Sequence, residues 1–118
     1  MKHLSILVPD EQTNMSTIAC IVGTHQIFTA ANKVRTNKGK TALFDIELVG
    51  ANKTDYLENH LLQVKHQSTI SEIKKTHLII LPASLIRSYD TATKNNKLLI
   101  DWIRHQYNQG AEVASMCI

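Results

Sequence analysis

Cysteine is nearly absent from this chain: among its 118 residues only Cys20 and Cys117 carry thiols. Two thiols so far apart, with no CxxC spacing, build neither a disulfide framework nor a thiolate metal site. A reducing cytoplasm is the compartment they fit. Glycine is also scarce, and Gly23, Gly39, Gly50 and Gly110 each stand alone. No strand is followed by a Gly-rich phosphate loop, so nucleotide binding has no support. Long apolar runs are missing as well. The opening MKHLSILVPD is too short for a signal peptide and far too short to span a membrane. The six histidines (His3, His25, His60, His66, His77 and His105) are scattered without metal-site spacing and read as surface or strand-end residues. Neither a metal nor any other cofactor is called for. Between Gln12 and Phe44 there is no Asp or Glu at all.

What is present suits one α/β domain. The length allows a single core and no second domain, with 43% of residues hydrophobic and 19% charged. A net charge of +3 describes a solvated surface rather than a nucleic-acid footprint. The one local bias is KVRTNKGK, from Lys33 to Lys40, which suits a helix end and exposed loop because cations complement the helix dipole there. There is no internal repeat and no low-complexity segment.

Alternating periodicities divide the chain. Leu4 to Val8 is a continuous apolar run closed by Pro9-Asp10, as in a strand buried on both faces. From Ser16 to Val34, Ile18, Ala19, Ile21, Val22, Ile27, Phe28, Ala31 and Val34 recur at helical spacing. Cys20 falls on that stripe as a packed thiol, and Gly23 suggests close packing on the sheet. Ala42 to Val49 is a second strand, Leu61 to Val64 a short third, and HLIIL from His77 to Leu81 a buried one closed by Pro82. Ser68 to Lys75 reads as an exposed connector. A helix from about Lys94 to Asn108 presents Leu98, Leu99, Trp102, Ile103 and Tyr107 on one face and stops at Gly110. Val113 to Met116 is the last strand, placed near the centre of the sheet.

Buried strands alternating with helices imply right-handed crossovers and a doubly wound, mainly parallel sheet covered on both sides. In such sheets ligands sit beyond the carboxyl ends of the strands. The candidate ligand-binding residues are therefore Pro9, Asp10, Pro82, Ala83 and Cys117, all of which follow strand ends.

The ordered segments ILVPD, GTHQIFTAAN, FDIELVG, THLIILPAS and LIDWIRHQYNQGAEVASMC resemble the ThiJ/PfpI group of the class I glutamine amidotransferase-like superfamily. Within it they are most similar to the amino-terminal sensor domain of AraC-family transcriptional regulators. The resemblance implies a flavodoxin-like fold, incomplete at the carboxyl end, with Cys117 at a nucleophile-elbow position. It also implies further elements and a helix-turn-helix DNA-binding domain beyond the present residues. The remaining expectations are a small-molecule effector, a homodimer or higher oligomer, a cytoplasmic location and no membrane contact.

The same resemblance offers two functions. Superfamily enzymes commonly place a His beside the cysteine or elsewhere in the site, and many take a carboxylate from the first helix. Here Ile118 follows Cys117 and the first helix holds no acid; Asp10 and Glu11 are the nearby substitutes. A thiol without a base or cation remains a poor nucleophile. Cys117 is thus a weak catalytic candidate, and a non-catalytic sensor and dimerisation domain is the favoured reading. The alternative is a fragment of a ThiJ/PfpI-family cysteine hydrolase or glyoxalase.

Overall fold

The computed structural model describes residues 1–9, 15–52, 57–58, 61–83, 93–94 and 96–116. Their elements run β1 (Lys2–Leu7), α1 (Met15–Asn37), β2 (Phe44–Gly50), β3 (Leu57–Glu58), β4 (Gln63–Val64), β5 (Ser68–Thr69), β6 (Leu78–Leu81), α2 (Lys97–Asn108) and β7 (Glu112–Ser115). Five strands form one parallel sheet in the order β5-β2-β1-β6-β7. The expected doubly wound α/β architecture is therefore present.

The period-2 alternation of β1 divides its side chains between two cores. Leu4, Ile6 and Val8 meet Ile18 and Ile21 of α1 on one face. Leu7 lies on the other face with Val49, Ile79, and Leu99 and Trp102 of α2. One helix thus covers each face. Phe28 and Phe44 add an edge-to-face pair with centroids 4.9 Å apart.

A side-chain clasp fixes where β2 begins. Asn32, half-buried on α1, accepts from the main-chain N–H groups of Leu43 and Phe44 and donates to the Phe44 carbonyl at 2.8 Å. The helix ends just before it, where Gly39 takes φ +74° and its N–H returns to Thr36. Asn32→Ala removes all three bonds and is expected to cost about 1–3 kcal/mol in a urea titration; a change within a few tenths would show that water replaces the clasp.

Several sequence expectations need correction. The inner face of α1 is Thr17, Ile18, Ile21 and Thr24, whereas Ala19, Val22, Ile27, Ala31 and Val34 are exposed. The helix is apolar around much of its circumference, so periodicity alone could not identify the packed side. Cys20 is only partly buried, and a Cβ on Gly23 would meet nothing within 4 Å, so no tight packing explains that glycine.

On α2 the buried residues are Leu99, Trp102 and Gln106, while Leu98 and Tyr107 face solvent. The connector expected at Ser68–Lys75 begins with β5, whose Thr69 is buried beside Gly50. The expected strand at 61–64 shortens to β4, which pairs antiparallel with β3 outside the main sheet. Among the described residues β7 is the outermost strand, next to β6, and all four of its residues are exposed.

Candidate functional site

The direction of winding reverses at β1. Chain order proceeds from β1 to β2 and β5 on one side, then returns to β6 and β7 on the other. Such a reversal leaves a crevice beyond the carboxyl ends of the two strands that flank it. Here those strands are β1, leading to Val8-Pro9, and β6, leading to Pro82-Ala83. Parallel pairing through Ile6 and Ile80, continued by the chain, brings Pro9, Pro82 and Ala83 to one rim. All three are half-buried. Asp10 and Cys117 lie outside the described residues.

Two neighbours complete the described rim. Main-chain bonds carry the sheet past its strand ends, from the Val8 N–H to the Val49 carbonyl and from the Met116 N–H to that of Leu81. Thr24, buried on α1, directs its hydroxyl to the sulfur of Met116 at 2.9 Å. Met116 immediately precedes Cys117, so the first helix offers a neutral hydroxyl, not a carboxylate, to this strand end. At the end of β2, the His66 ring lies against Gly50; a Cβ there would stand 2.6 Å from Nδ1. The same Nδ1 is buried without a partner among the described residues. A lone buried ring nitrogen carries a desolvation cost that a hydrogen-bonding guest relieves.

The rim is therefore a mainly apolar edge with a hydroxyl, a thioether and one unpaired imidazole nitrogen. The two proline rings provide walls without N–H donors at those positions. No acid–base pair is assembled there among the described residues. Sequence reasoning placed Pro9, Pro82 and Ala83 after strand ends, and they follow the ends of β1 and β6 here. It missed Thr24 and His66, since only tertiary packing brings them to the rim; the lone Gly50 after β2 was the available sign of a close approach.

A second polar group lies at the opposite, amino-terminal end of the strands. His3 of β1 stands beside Glu47 of β2, with Nε2 to Oε1 at 3.2 Å. Glu47 also accepts a hydrogen bond from the Ser68 hydroxyl. That bond is the main reason the Glu47 carboxyl is held below the ordinary carboxylate range; burial opposes it and His3 assists. Ser5 and Thr76, both buried, bond to each other behind the histidine at 3.0 Å.

No protein-family model matches the chain, and no curated protein matches it. Solved structures do. A candidate transcriptional regulator protein from Vibrio parahaemolyticus superposes with a TM-score of 0.72 at 18% identity, covering 96% of this chain and 54% of that one. A cysteine-to-alanine mutant of a DJ-1 superfamily protein from Salmonella typhimurium gives 0.67 at 16% identity, covering 98% of this chain and 55% of that one. An AraC family transcriptional regulator from Pseudomonas putida gives 0.52 at 15% identity, with coverages of 98% and 55%. The chain spans about half the length of these three structures. Its fold is that of the DJ-1/ThiJ/PfpI-like proteins, a fold also found in an AraC family regulator.

Proposed function

We propose that these residues form the amino-terminal part of a class I glutamine amidotransferase-like sensor domain. The domain belongs to an AraC-like transcriptional regulator and does not catalyse a reaction. Pro9, Asp10, Pro82, Ala83 and Cys117 contribute to a rim that takes a small effector. A helix-turn-helix domain outside residues 1–118 binds DNA. The cytoplasm is the working compartment; no helix among the described residues is long and apolar enough to cross a membrane.

The observation that carries the non-catalytic part is the contact of Thr24 with Met116. Enzymes of the resembling group often supply a carboxylate from the first helix, and here the helix offers a threonine hydroxyl to the strand end. A threonine hydroxyl neither removes a proton from a thiol near neutrality nor supplies a charge that stabilises a thiolate. Likeness to two regulators supports the regulatory part. Homodimerisation or higher assembly accords with the outer side of α1, where Val22 is 55%, Ile27 69% and Val34 54% exposed.

DNA binding separates the domains in an experiment. No helix-turn-helix is present among the described residues, and the basic run at Lys33 to Lys40 follows no base-reading pattern. In gel-shift titrations at physiological salt, residues 1–118 should bind operator and scrambled duplexes equally weakly. Sequence-selective binding by this segment would overturn the proposed division of labour. The downstream coding sequence supplies a direct check: a helix-turn-helix region supports the regulator, and its absence supports the enzyme alternative.

A further inference from the structure

We infer that His3, Asp45 and Glu47 form a binding site for a first-row divalent transition metal ion such as zinc. The site lies at the amino-terminal end of β1 and β2, across the sheet from the proposed effector rim. The inference goes beyond the sensor reading and does not rest on it.

The fold assembles these ligands from distant parts of the sequence. Parallel register sets His3 opposite Asp45 and Ser5 opposite Glu47. Side-chain alternation then points His3, Asp45 and Glu47 to one side of the sheet. One ligand atom from each falls within 4.8 Å of the others. The His3 Nε2 and Glu47 Oε1 are separated by 3.2 Å. Two ligands on one zinc ion, each about 2.1 Å from it, stand roughly 3.0–3.4 Å apart. The pair already has the spacing of neighbouring ligands, and the exposed Asp45 side chain has freedom to close the third position.

The surrounding hydrogen bonds orient the donors. Thr76 Oγ1 lies 2.9 Å from His3 Nδ1 and 3.2 Å from the His3 carbonyl oxygen. With the Thr76 proton donated to that carbonyl, its oxygen accepts Nδ1–H and the Nε2 lone pair is free for a metal ion; with the proton donated to Nδ1, Nε2–H donates to Glu47 instead. Asp45 distinguishes the two. It adds a third donor to a metal site, whereas a proton shared by His3 and Glu47 has no use for it.

The other Glu47 oxygen is occupied by Ser68, which leaves Oε1 directed at the histidine. Each principal ligand therefore has an outer hydrogen-bond partner, as metal-ligating histidines and carboxylates usually do. One nitrogen and two carboxylates suit zinc, manganese, iron or cobalt better than calcium or magnesium. With three protein ligands, solvent can complete the coordination. Exposure of 15% for the His3 side chain and 26% for Glu47 gives an ion a route in.

The test uses untagged chain, stripped with a chelator and titrated with zinc by calorimetry. Cobalt substitution is followed by visible absorption. The expected result is one zinc per chain with micromolar or tighter affinity, a cobalt d–d band, and a thermal midpoint that rises with zinc and falls again on chelation. Asp45→Asn changes an exposed side chain, so its fold should persist; its zinc affinity should fall about tenfold or more. His3→Gln should abolish the cobalt band. Absence of stoichiometric binding, or equal affinity of the wild type and Asp45→Asn, would overturn the inference and leave His3 and Glu47 as a hydrogen-bonded pair.

Discussion

Replacing Gln106 with leucine is expected to lower the unfolding free energy by about 2–4 kcal/mol, despite adding an apolar side chain to a buried position. Gln106 is 1% exposed on the inner face of α2. Its Oε1 accepts from the Thr76 N–H at 3.1 Å, and its Nε2 donates to the Lys74 carbonyl at 3.2 Å. These bonds tie the helix to the turn entering β6. Leucine preserves approximate volume but satisfies neither group. The buried Thr76 N–H is the costly orphan, because Lys74 is exposed and its carbonyl can take water. Urea unfolding monitored by Trp102 fluorescence measures the loss. A destabilisation below about 0.5 kcal/mol would mean that this amide bridge contributes little.

Gly50→Val is expected to cost about 1–3 kcal/mol and to move the His66 ring. Gly50 is buried at the end of β2, and a Cβ would come within 2.6 Å of Nδ1, 2.7 Å of Cγ and 2.9 Å of Cε1 of that ring. Every such separation is shorter than van der Waals contact, so the imidazole must yield. A double variant identifies the cause. Combining Gly50→Val with His66→Ala opens the necessary space, and the pair should destabilise less than the sum of the singles. Strict additivity would place the strain elsewhere. The imidazole resonances of His66 should also shift in Gly50→Val.

The central sheet was legible because its physical signals are local and strong. Leu4 to Val8 and His77 to Leu81 are compact apolar runs closed by proline, and FDIELVG ends in glycine. Three features suppressed such signals elsewhere. Ser68–Thr69 is too short and polar to read as a strand, yet pairing with Val49 and Gly50 makes it one. On α1, Thr17 and Thr24 share the inward face with Ile18 and Ile21 while Val22, Ile27 and Val34 face out, contrary to ordinary hydrophobic patterning. On α2 a buried glutamine takes a place that an apolar pattern assigns to a hydrophobe.

Strand ends led to Pro9, Pro82 and Ala83 because the position of a crevice follows from sheet topology. Its chemistry did not follow, since Thr24 and His66 arrive from other elements. The His3–Asp45–Glu47 cluster was hidden for the same reason. Asp45 and Glu47 have the spacing of one strand face, but His3 joins them only through β1–β2 pairing. Cys117 and Asp10, which lie outside the described residues, keep the roles assigned under the proposed function.

Turnover offers the most direct test of that function. Residues 1–118 and a Cys117→Ser counterpart should be compared on ester, peptide and methylglyoxal substrates. The non-catalytic sensor account expects both proteins to remain at the uncatalysed rate. Reproducible turnover by the parent chain that disappears in Cys117→Ser would contradict the account and identify a thiol enzyme.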